Sequence, residues 1–274
     1  MSSDKLAIFG GARTIRNEFQ HYNPIGVEEV EAAKKVVESG ILSGFVACSG
    51  DEFYGGPKVR EFEDRCQKYF GVEFAVTVNS WTSGLIASIG AIGIEPGDEV
   101  IVTPWTMSAT ASAILHWNGI PVFSDIEGET FNLDPKAVEE NITPYTKAIV
   151  VADIFGHPAD TDKLMAVAEK NNLLVVCDSA QAPGAMYKGN YAGTLCHVGG
   201  FSLNYHKHIH TGEGGIVVTN DVKIADRVQL IRNHAEAVVE DRGIQDISNL
   251  IGFNFRLGEI EAAIGIEQLE KLND

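Results

Sequence analysis

The sequence predicts an α/β protein with three layers, α/β/α, around a mostly parallel sheet. Short runs rich in Val and Ile alternate with segments of helical periodicity over most of the chain. These runs are mostly apolar, as expected for strands that helices cover on both faces. The predicted strands are FAVTVN (74–79), EVIVTP (99–104), PVFSD (121–125), KAIVVAD (147–153), LLVVCD (173–178), HVGGFSLN (197–204) and GGIVVTN (214–220).

Helical segments connect these strands. They are SGLIASIGAIGI (83–94), TMSATASAILHWN (106–118), DPKAVEENI (134–142), DTDKLMAVAEKNN (160–172), VKIADRVQLIRNH (222–234) and LGEIEAAIGIEQLEKL (257–272). The last segment continues almost to the final residue without a capping glycine. A helix of this kind predicts that the chain is part of a longer protein.

Composition and charge restrict the class of protein. The chain has 274 residues, 45% of them hydrophobic, and a formal net charge of −17. This charge argues against binding to nucleic acid or to an anionic membrane surface, because both require clustered Lys and Arg. We find no membrane-spanning run and no signal peptide, which predicts a soluble, cytoplasmic protein. Its four widely spaced cysteines predict free or buried thiols rather than disulfides or a zinc site.

A possible anion site follows the first predicted strand. The segment NSWTSGL (79–85) opens a helix, and Ser80, Thr82 and Ser83 place hydroxyl groups beside the free N–H groups of the first turn. An ordinary helix cap would use the same residues, and the P-loop pattern is absent.

Polar residues also stand at the ends of other apolar segments. Asp178 ends a predicted buried strand, where it requires a cation such as a protonated heterocyclic nitrogen, and Gln181 could reach a neighbouring oxygen. A helix cap or a structural ion pair would also explain Asp178. Asn254 and Arg256 interrupt the apolar segment 251–263, where capping or a surface turn is the alternative.

The segment FSLNYHKHIHTGEGG contains three histidines, 206, 208 and 210, around Lys207. In an extended strand the outer two would lie roughly 13 Å apart, too far to share one metal ion. The TGEGG that follows predicts a glycine-dependent turn that places one side chain in the cleft. A partly desolvated lysine at that position can lose its proton and form an imine. We therefore predict no metal site. A solvated surface charge is the alternative for a single lysine, and it stays open on these residues alone.

Together these segments are similar to the DegT/DnrJ/StrS family of sugar aminotransferases, which use pyridoxal 5′-phosphate (PLP) and belong to the aspartate aminotransferase superfamily. The matching motifs occur in the family's order: LSG (42–44), GGPKVREFE (55–63), NSWTSGL, PGDEVIVTPWT, EGETFNLDP, FGHPAD, DSAQAPGA, FSLNYHKHIHTGEGG, IRNHAE and GFNFRLGEIEAAIG.

The resemblance implies a large domain of PLP fold type I and a role for each matching residue. Lys207 would form the Schiff base with PLP, and Asp178 would pair with the pyridinium nitrogen. Gln181 would contact the ring 3-oxygen. The phosphate would be bound by Thr82, Ser83, Ser202 and, from the partner subunit, Asn254, which implies a homodimer with shared active sites.

The chain departs from the family's pattern in two respects. The aromatic residue that usually stacks on the cofactor ring is replaced by Met107, with Trp105 two residues earlier, so either residue could serve. The family's C-terminal small domain is largely missing. We expect residues 1–250 to form the PLP-binding large domain with an N-terminal arm, and residues 251–274 to begin the helix that leads to the truncated small domain.

The resemblance implies transfer of an amino group from glutamate or glutamine to a keto sugar, commonly nucleotide-linked, or to a cyclitol, within amino-sugar or polysaccharide biosynthesis. One alternative is a PLP-dependent keto-sugar dehydratase. A related branch performs dehydration with histidine in place of the lysine, so Lys207 favours amino transfer. A cofactor-binding, non-catalytic regulatory paralogue is the other alternative.

Overall fold

The computed structural model describes residues 5–19, 22–245, 247 and 250–273. The strands are β1 Phe74–Val78, β2 Glu99–Val102, β3 Ile120–Phe123, β4 Thr146–Ala152, β5 Leu174–Asp178, β6 Met186–Tyr187, β7 Asn190–Tyr191, β8 Val198–Ser202 and β9 Gly215–Thr219. The helices are α1 Val27–Ser39, α2 Pro57–Phe70, α3 Trp81–Ala91, α4 Ser108–His116, α5 Pro135–Glu140, α6 Thr161–Asn171, α7 Val222–Arg232 and α8 Glu259–Glu270. Every strand and helix predicted from the sequence is present, with ends that differ by a few residues.

Seven strands form one sheet in the order β1-β9-β8-β5-β4-β2-β3. The pairs β2–β3, β2–β4, β4–β5 and β5–β8 are parallel. Strand β9 is antiparallel to both of its neighbours, β8 and β1. The mostly parallel α/β architecture predicted from the sequence is therefore confirmed.

Alternate residues of each strand point to opposite helical layers. In β4, Val150 packs with α3, α4 and α7, whereas Val151 packs with α5 and α6 on the other face. In β9, Val217 joins the first of these layers and Val218 packs with α2 and α8. Because both faces of the central strands are covered, most of their positions are apolar, which is the pattern found in the sequence.

The carboxyl ends of β1, β2, β4, β5 and β8 lie at one edge of the sheet, because these strands run in the same direction. The amino end of β9 lies at the same edge, since β9 runs the other way. In open α/β sheets this edge is where ligands bind. The loops after these strands therefore form the candidate site.

The prediction of free thiols was wrong for one pair of cysteines. Cys177 at the end of β5 forms a disulfide with Cys196, whereas Cys66 is buried and free and Cys48 is exposed and free. The parallel pairing of β5 with β8 brings residue 177 opposite residue 199, next to the loop that carries Cys196. The sequence separation of 19 residues gave no sign of this proximity.

Helix α8 packs in the same core as α2, through Ala262, Ile266 and Leu269. The division into residues 1–250 and 251–274 stays a prediction, and residues 1–4 and 274 at the outer ends of these ranges lie outside the described residues. Within the described part of the chain, no helix is long and apolar enough to cross a membrane.

Candidate active site

A cavity of about 310 Å³ opens at the carboxyl edge of the sheet. Six of the nine residues predicted for the site line it: Thr82, Met107, Asp178, Gln181, Ser202 and Lys207. The other three, Ser83, Trp105 and Asn254, do not belong to its lining. The parallel topology thus gathers side chains that are far apart in the sequence.

Lys207 lies in the loop that connects β8 to β9. The loop closes through backbone hydrogen bonds from Leu203 to Gly214 and from Tyr205 to Gly212, and Gly212 adopts the positive φ of 86° expected of a glycine-dependent turn. The amide of Lys207 donates to the carbonyl of Asn204 at 2.9 Å, which forms a turn at the loop tip. This geometry presents the lysine side chain to the cavity, as the sequence predicted.

Partial burial lowers the pKa of the Lys207 amine, and the nearby charge of Asp178 opposes this effect. Desolvation disfavours the ammonium form, so a larger fraction of the side chain is neutral at physiological pH than for an exposed lysine. A neutral amine is the form that can attack a carbonyl carbon.

Asp178 is a buried carboxylate with three hydrogen-bond donors. Its Oδ2 accepts from the Thr110 hydroxyl at 2.6 Å, and its Oδ1 accepts from the indole Nε1–H of Trp81 at 2.6 Å and from the Ala180 amide at 3.3 Å. Burial raises the pKa of Asp178, while these hydrogen bonds and the charge of Lys207 lower it. Asp178 still lines the cavity, so it can also face a bound cation.

The orientation of the Gln181 amide is set by the backbone. Its Oε1 accepts from the amide of Phe155 at 2.8 Å. With the oxygen facing the backbone, the NH₂ group is the end that can donate to a bound oxygen.

The start of α3 combines a helix cap with a group of hydroxyls. Ser80 is the N-cap residue and accepts from the Ser83 amide at 3.1 Å, so the helix-cap interpretation is confirmed and the anion site stays a prediction. The Ser83 hydroxyl donates to Asn79 Oδ1 at 2.7 Å and lies outside the cavity lining. Thr82 is an exposed residue that lines the cavity, and Ser202 at the end of β8 lines it as well.

The two candidates for stacking on the cofactor ring are in different environments. Met107 lines the cavity and is 69% exposed. Trp105 instead packs against Phe131, with ring centroids 5.6 Å apart. The cavity geometry therefore favours Met107 for this role.

Asn254 lies on the surface beside the start of α3, outside the cavity of its own chain. It pairs through its backbone with Asn233, and its carbonyl oxygen accepts from Asn79 Nδ2 at 3.4 Å. Asn254 is an exposed residue.

The three histidines around Lys207 do not converge. His206 lines the cavity, the carbonyl of His208 accepts from the Tyr22 hydroxyl, and the amide of His210 donates to Gln268. Within the described ranges, no group of three or more His, Cys, Asp or Glu side chains could hold a metal ion.

The structure adds residues that the sequence did not identify. Trp81 and Thr110 hold Asp178, and Asp153 is a second buried carboxyl in the cavity wall. Burial raises the pKa of Asp153, and its carboxylate accepts hydrogen bonds from Ser179 and from the amide of Ala159. Asp153 directly follows β4 and Asp178 is the last residue of β5, so each acid comes after an apolar run, a signal that was visible in the sequence. Trp81 and Thr110 carried no such signal.

Fold and site together define a large domain of the type found in PLP-dependent aminotransferases. The model of the DegT/DnrJ/EryC1/StrS aminotransferase family matches residues 45–274. The chain belongs to this family.

Three curated relatives illustrate the family's range. The spore coat polysaccharide biosynthesis protein SpsC of Bacillus subtilis is 35% identical over 94% of this chain and 66% of its own length. GDP-perosamine synthase of Caulobacter vibrioides is 39% identical over 80% of this chain and 58% of its own length. L-glutamine:2-deoxy-scyllo-inosose aminotransferase of Streptomyces lividus is 34% identical over 99% of this chain and 64% of its own length. The chain thus spans about 58–66% of the length of these relatives.

Two solved structures have the same fold. An aminotransferase from Psychrobacter cryohalolentis aligns with a TM-score of 0.82 at 32% identity, over 93% of this chain and 64% of that one. GDP-4-keto-6-deoxy-D-mannose-3-dehydratase of Escherichia coli, solved with bound hydrated PLP, aligns with a TM-score of 0.79 at 28% identity, over 92% and 67%.

The family and its solved structures indicate PLP as the cofactor, and the residues of this site fit it. The cavity contains an amine whose pKa is lowered by burial and a buried carboxylate that faces the same space. Thr82, in the first turn of α3, and Ser202 both line this cavity, and hydroxyls beside the start of a helix suit a phosphate. Lys207 would hold the aldehyde carbon, and Asp178 the ring nitrogen.

Proposed function

We propose that this chain is the large domain of an aminotransferase that transfers an amino group from glutamate or glutamine to the ketone of a sugar or cyclitol. The observation that carries the proposal is the placement of Lys207 and Asp178 in one cavity at the carboxyl edge of the sheet, the edge where open α/β sheets bind ligands.

When bound, PLP supplies an electron sink that stabilises a carbanion at the carbon bearing the amino group. The residues of this chain place and protonate the reacting atoms. Asp178, as an anion, keeps the ring nitrogen protonated. Lys207, when its amine is free, would be the base that takes the proton from the donor's α-carbon.

The remaining residues of the cavity orient the cofactor. Gln181 would donate from its NH₂ group to the ring 3-oxygen, since its carbonyl oxygen is held by Phe155. Thr82 and Ser202 would hold the phosphate together with the amides at the start of α3. Met107 would contact the ring, and its thioether suits contact with an aromatic surface.

The substrate class is inferred from the relatives. One is named for a GDP-linked amino sugar and another for a cyclitol ketone with glutamine as donor. We propose a ketone on a six-membered polyhydroxylated ring as the acceptor and glutamate or glutamine as the donor. We also propose a cytoplasmic homodimer in which Asn254 of each subunit contacts the cofactor phosphate of the other, since Asn254 lies on the surface and outside its own cavity.

The test uses the full natural chain loaded with PLP. The donor would be glutamate or glutamine with a ¹⁵N-labelled α-amino group, and the acceptors GDP-4-keto-6-deoxymannose and 2-deoxy-scyllo-inosose. Mass spectrometry should find ¹⁵N in the product of at least one acceptor. Amino transfer would be refuted if neither product contained ¹⁵N and the donor also left the absorption of the bound cofactor unchanged. That result would support a non-catalytic paralogue.

A keto-sugar dehydratase is the second candidate, because a dehydratase is among the proteins with this fold. A dehydratase would consume the same GDP-linked ketone but release a product that has lost a hydroxyl group and contains no ¹⁵N. Product mass therefore separates the two reactions even when both respond to the amino donor.

A further inference from the structure

The indole ring of Trp81 occupies a slot that two glycines leave open. Trp81 is 5% exposed at the start of α3. A Cβ atom at Gly200 in β8 would lie 2.3 Å from Trp81 Cζ3, and a Cβ atom at Gly84 would lie 2.7 Å from Trp81 Cε3. Both distances are far below contact distance, so the ring depends on glycine at both positions. The slot fixes the ring and therefore the direction of its N–H.

The N–H of this ring points at Asp178. Its Nε1 lies 2.6 Å from Oδ1, within the range of a strong hydrogen bond to a charged acceptor. A carboxylate offers about four acceptor positions. Trp81, Thr110 and Ala180 occupy three in this structure. One position therefore remains for a partner in the cavity that Asp178 lines.

We propose that Trp81 is a positioning residue that acts through Asp178, holding its carboxylate anionic and oriented so that the remaining acceptor position faces the ring nitrogen of the cofactor. This inference rests on the proposed function, because it assigns the cofactor nitrogen to Asp178. Its physical basis is that a buried carboxylate without donors would take up a proton, and a neutral acid cannot hold the ring nitrogen in its protonated form.

A purely structural role for Trp81 is the competing explanation, because a buried indole N–H needs some acceptor. The chain contains a matched control for this alternative. Trp117 is 2% exposed, and its Nε1 donates to the carbonyl of Ile86 at 2.7 Å. Trp81→Phe and Trp117→Phe both remove a buried indole N–H, but only the first removes it from a carboxylate.

The first measurement is the ¹³C NMR titration of the Asp178 carboxyl in the full chain without PLP, with the signal assigned by its loss in Asp178→Asn. Trp81→Phe should move the titration midpoint to higher pH, because a donor to the anion has been removed. Trp117→Phe should leave it unchanged. An unchanged midpoint in folded Trp81→Phe would overturn the proposal.

The second measurement is the affinity for PLP in a double-mutant cycle. Trp81→Phe should weaken binding by about tenfold, as expected for a lost hydrogen bond to a charged group. In the Asp178→Asn background the same change should have little further effect, because the group through which Trp81 acts is gone. Equal losses in both backgrounds would assign Trp81 a structural role only.

The third measurement does not depend on the folding of Trp81→Phe. Residues 1–274 contain three tryptophans, and each contributes one indole N–H signal. Trp105→Phe and Trp117→Phe assign two of them, and the third should move with the ionisation of Asp178 in the otherwise unmutated chain. The proposal would be contradicted if the chemical shift of the third signal changed neither with pH nor in the Asp178→Asn variant. None of these measurements uses turnover, so their failure is distinguishable from failure of the proposed function.

Discussion

The carboxamide oxygen of Gln181 accepts a hydrogen bond from the backbone amide of Phe155, with the two atoms 2.8 Å apart. Phe155 follows β4 and Gln181 follows β5, so the contact joins two loops at the carboxyl edge of the sheet. It leaves the NH₂ group to face a ligand. Replacing this amide with a carboxylate therefore keeps the oxygen that accepts from Phe155 and removes the NH₂ donor. The contributions of the two ends of the side chain can then be measured separately.

Gln181→Glu should weaken PLP binding by about tenfold while leaving thermal stability near that of the unmutated chain. The carboxylate still accepts from Phe155 but cannot donate to the ring oxygen. Affinity is measured by titration of the cofactor's absorbance, and unfolding by circular dichroism. Unchanged affinity would show that Gln181 does not donate to the cofactor.

Lys207→Ala and Lys207→Arg should both prevent borohydride from fixing PLP to the chain, because neither side chain can attach the aldehyde. We expect amino transfer to fall by at least about 10²–10⁴-fold, as for loss of a general base. The arginine variant retains a positive charge near Asp178, so it separates loss of charge from loss of the amine. Covalent labelling that persists in either purified variant would show that Lys207 is not the residue to which PLP is attached.

Asp178→Asn should lower the pKa of Lys207 further. Burial already lowers it and only the charge of Asp178 opposes that, so removing this charge increases the neutral fraction of the amine near pH 7. Competitive acetylation followed by mass spectrometry, in the chain without PLP, should show faster labelling of residue 207. Asp153→Asn is the matched control, because Asp153 lines the same cavity but does not act on the pKa of Lys207. Equal effects of both variants would contradict the electrostatic assignment.

The proposed sharing of Asn254 predicts complementation between two inactive chains. Asn254→Ala keeps the backbone contacts of this residue with Asn233 and Asn79. If Lys207→Ala and Asn254→Ala chains are unfolded and refolded together, each hybrid dimer contains one intact site. Activity at limiting PLP should approach about a quarter of the unmutated level with random pairing. No recovery in confirmed hybrids would show that Asn254 does not serve the partner's site.

Glu29→Gln should destabilise the protein by about 1–3 kcal/mol near neutral pH. Burial alone raises the pKa of Glu29, but hydrogen bonds from Lys271, Gln268 and the Gly26 amide outweigh it and lower the pKa to about 2. Because the folded-state pKa is lowered, the stabilisation is present above about pH 4.5 and is lost as pH falls toward 2. The free energy of unfolding of the unmutated chain should therefore fall over this range more steeply than that of the variant.

Glu28→Gln is the control for this ion pair. Glu28 lies 3.4 Å from the same Lys271 ammonium, but its side chain is 52% exposed, whereas that of Glu29 is 1% exposed. Solvent screening should limit its effect to less than about 0.5 kcal/mol. Comparable losses in both variants would refute a specific contribution from the buried pair.

The sequence by itself determined the class of fold and the positions of the principal polar residues. Strands buried on both faces are apolar at most positions, so runs such as 147–153 and 173–178 are recognisable without a structure. A charged residue at the end of such a run, such as Asp178, is recognisable for the same reason. Lys207 stands out because the glycines after it predict a turn.

Tertiary structure decided which side chains meet across the strands. The indole of Trp81 and the carboxylate of Asp178 are 97 positions apart in the chain, and only the order of the strands and the slot left by Gly84 and Gly200 bring them together. The same holds for the disulfide between Cys177 and Cys196, and for the placement of Met107 rather than Trp105 at the cavity. Local sequence patterns show whether a residue is suited to a strand, a helix or a turn, because these depend on neighbours in the chain. Which distant residue becomes its contact partner depends on the packing of the whole sheet.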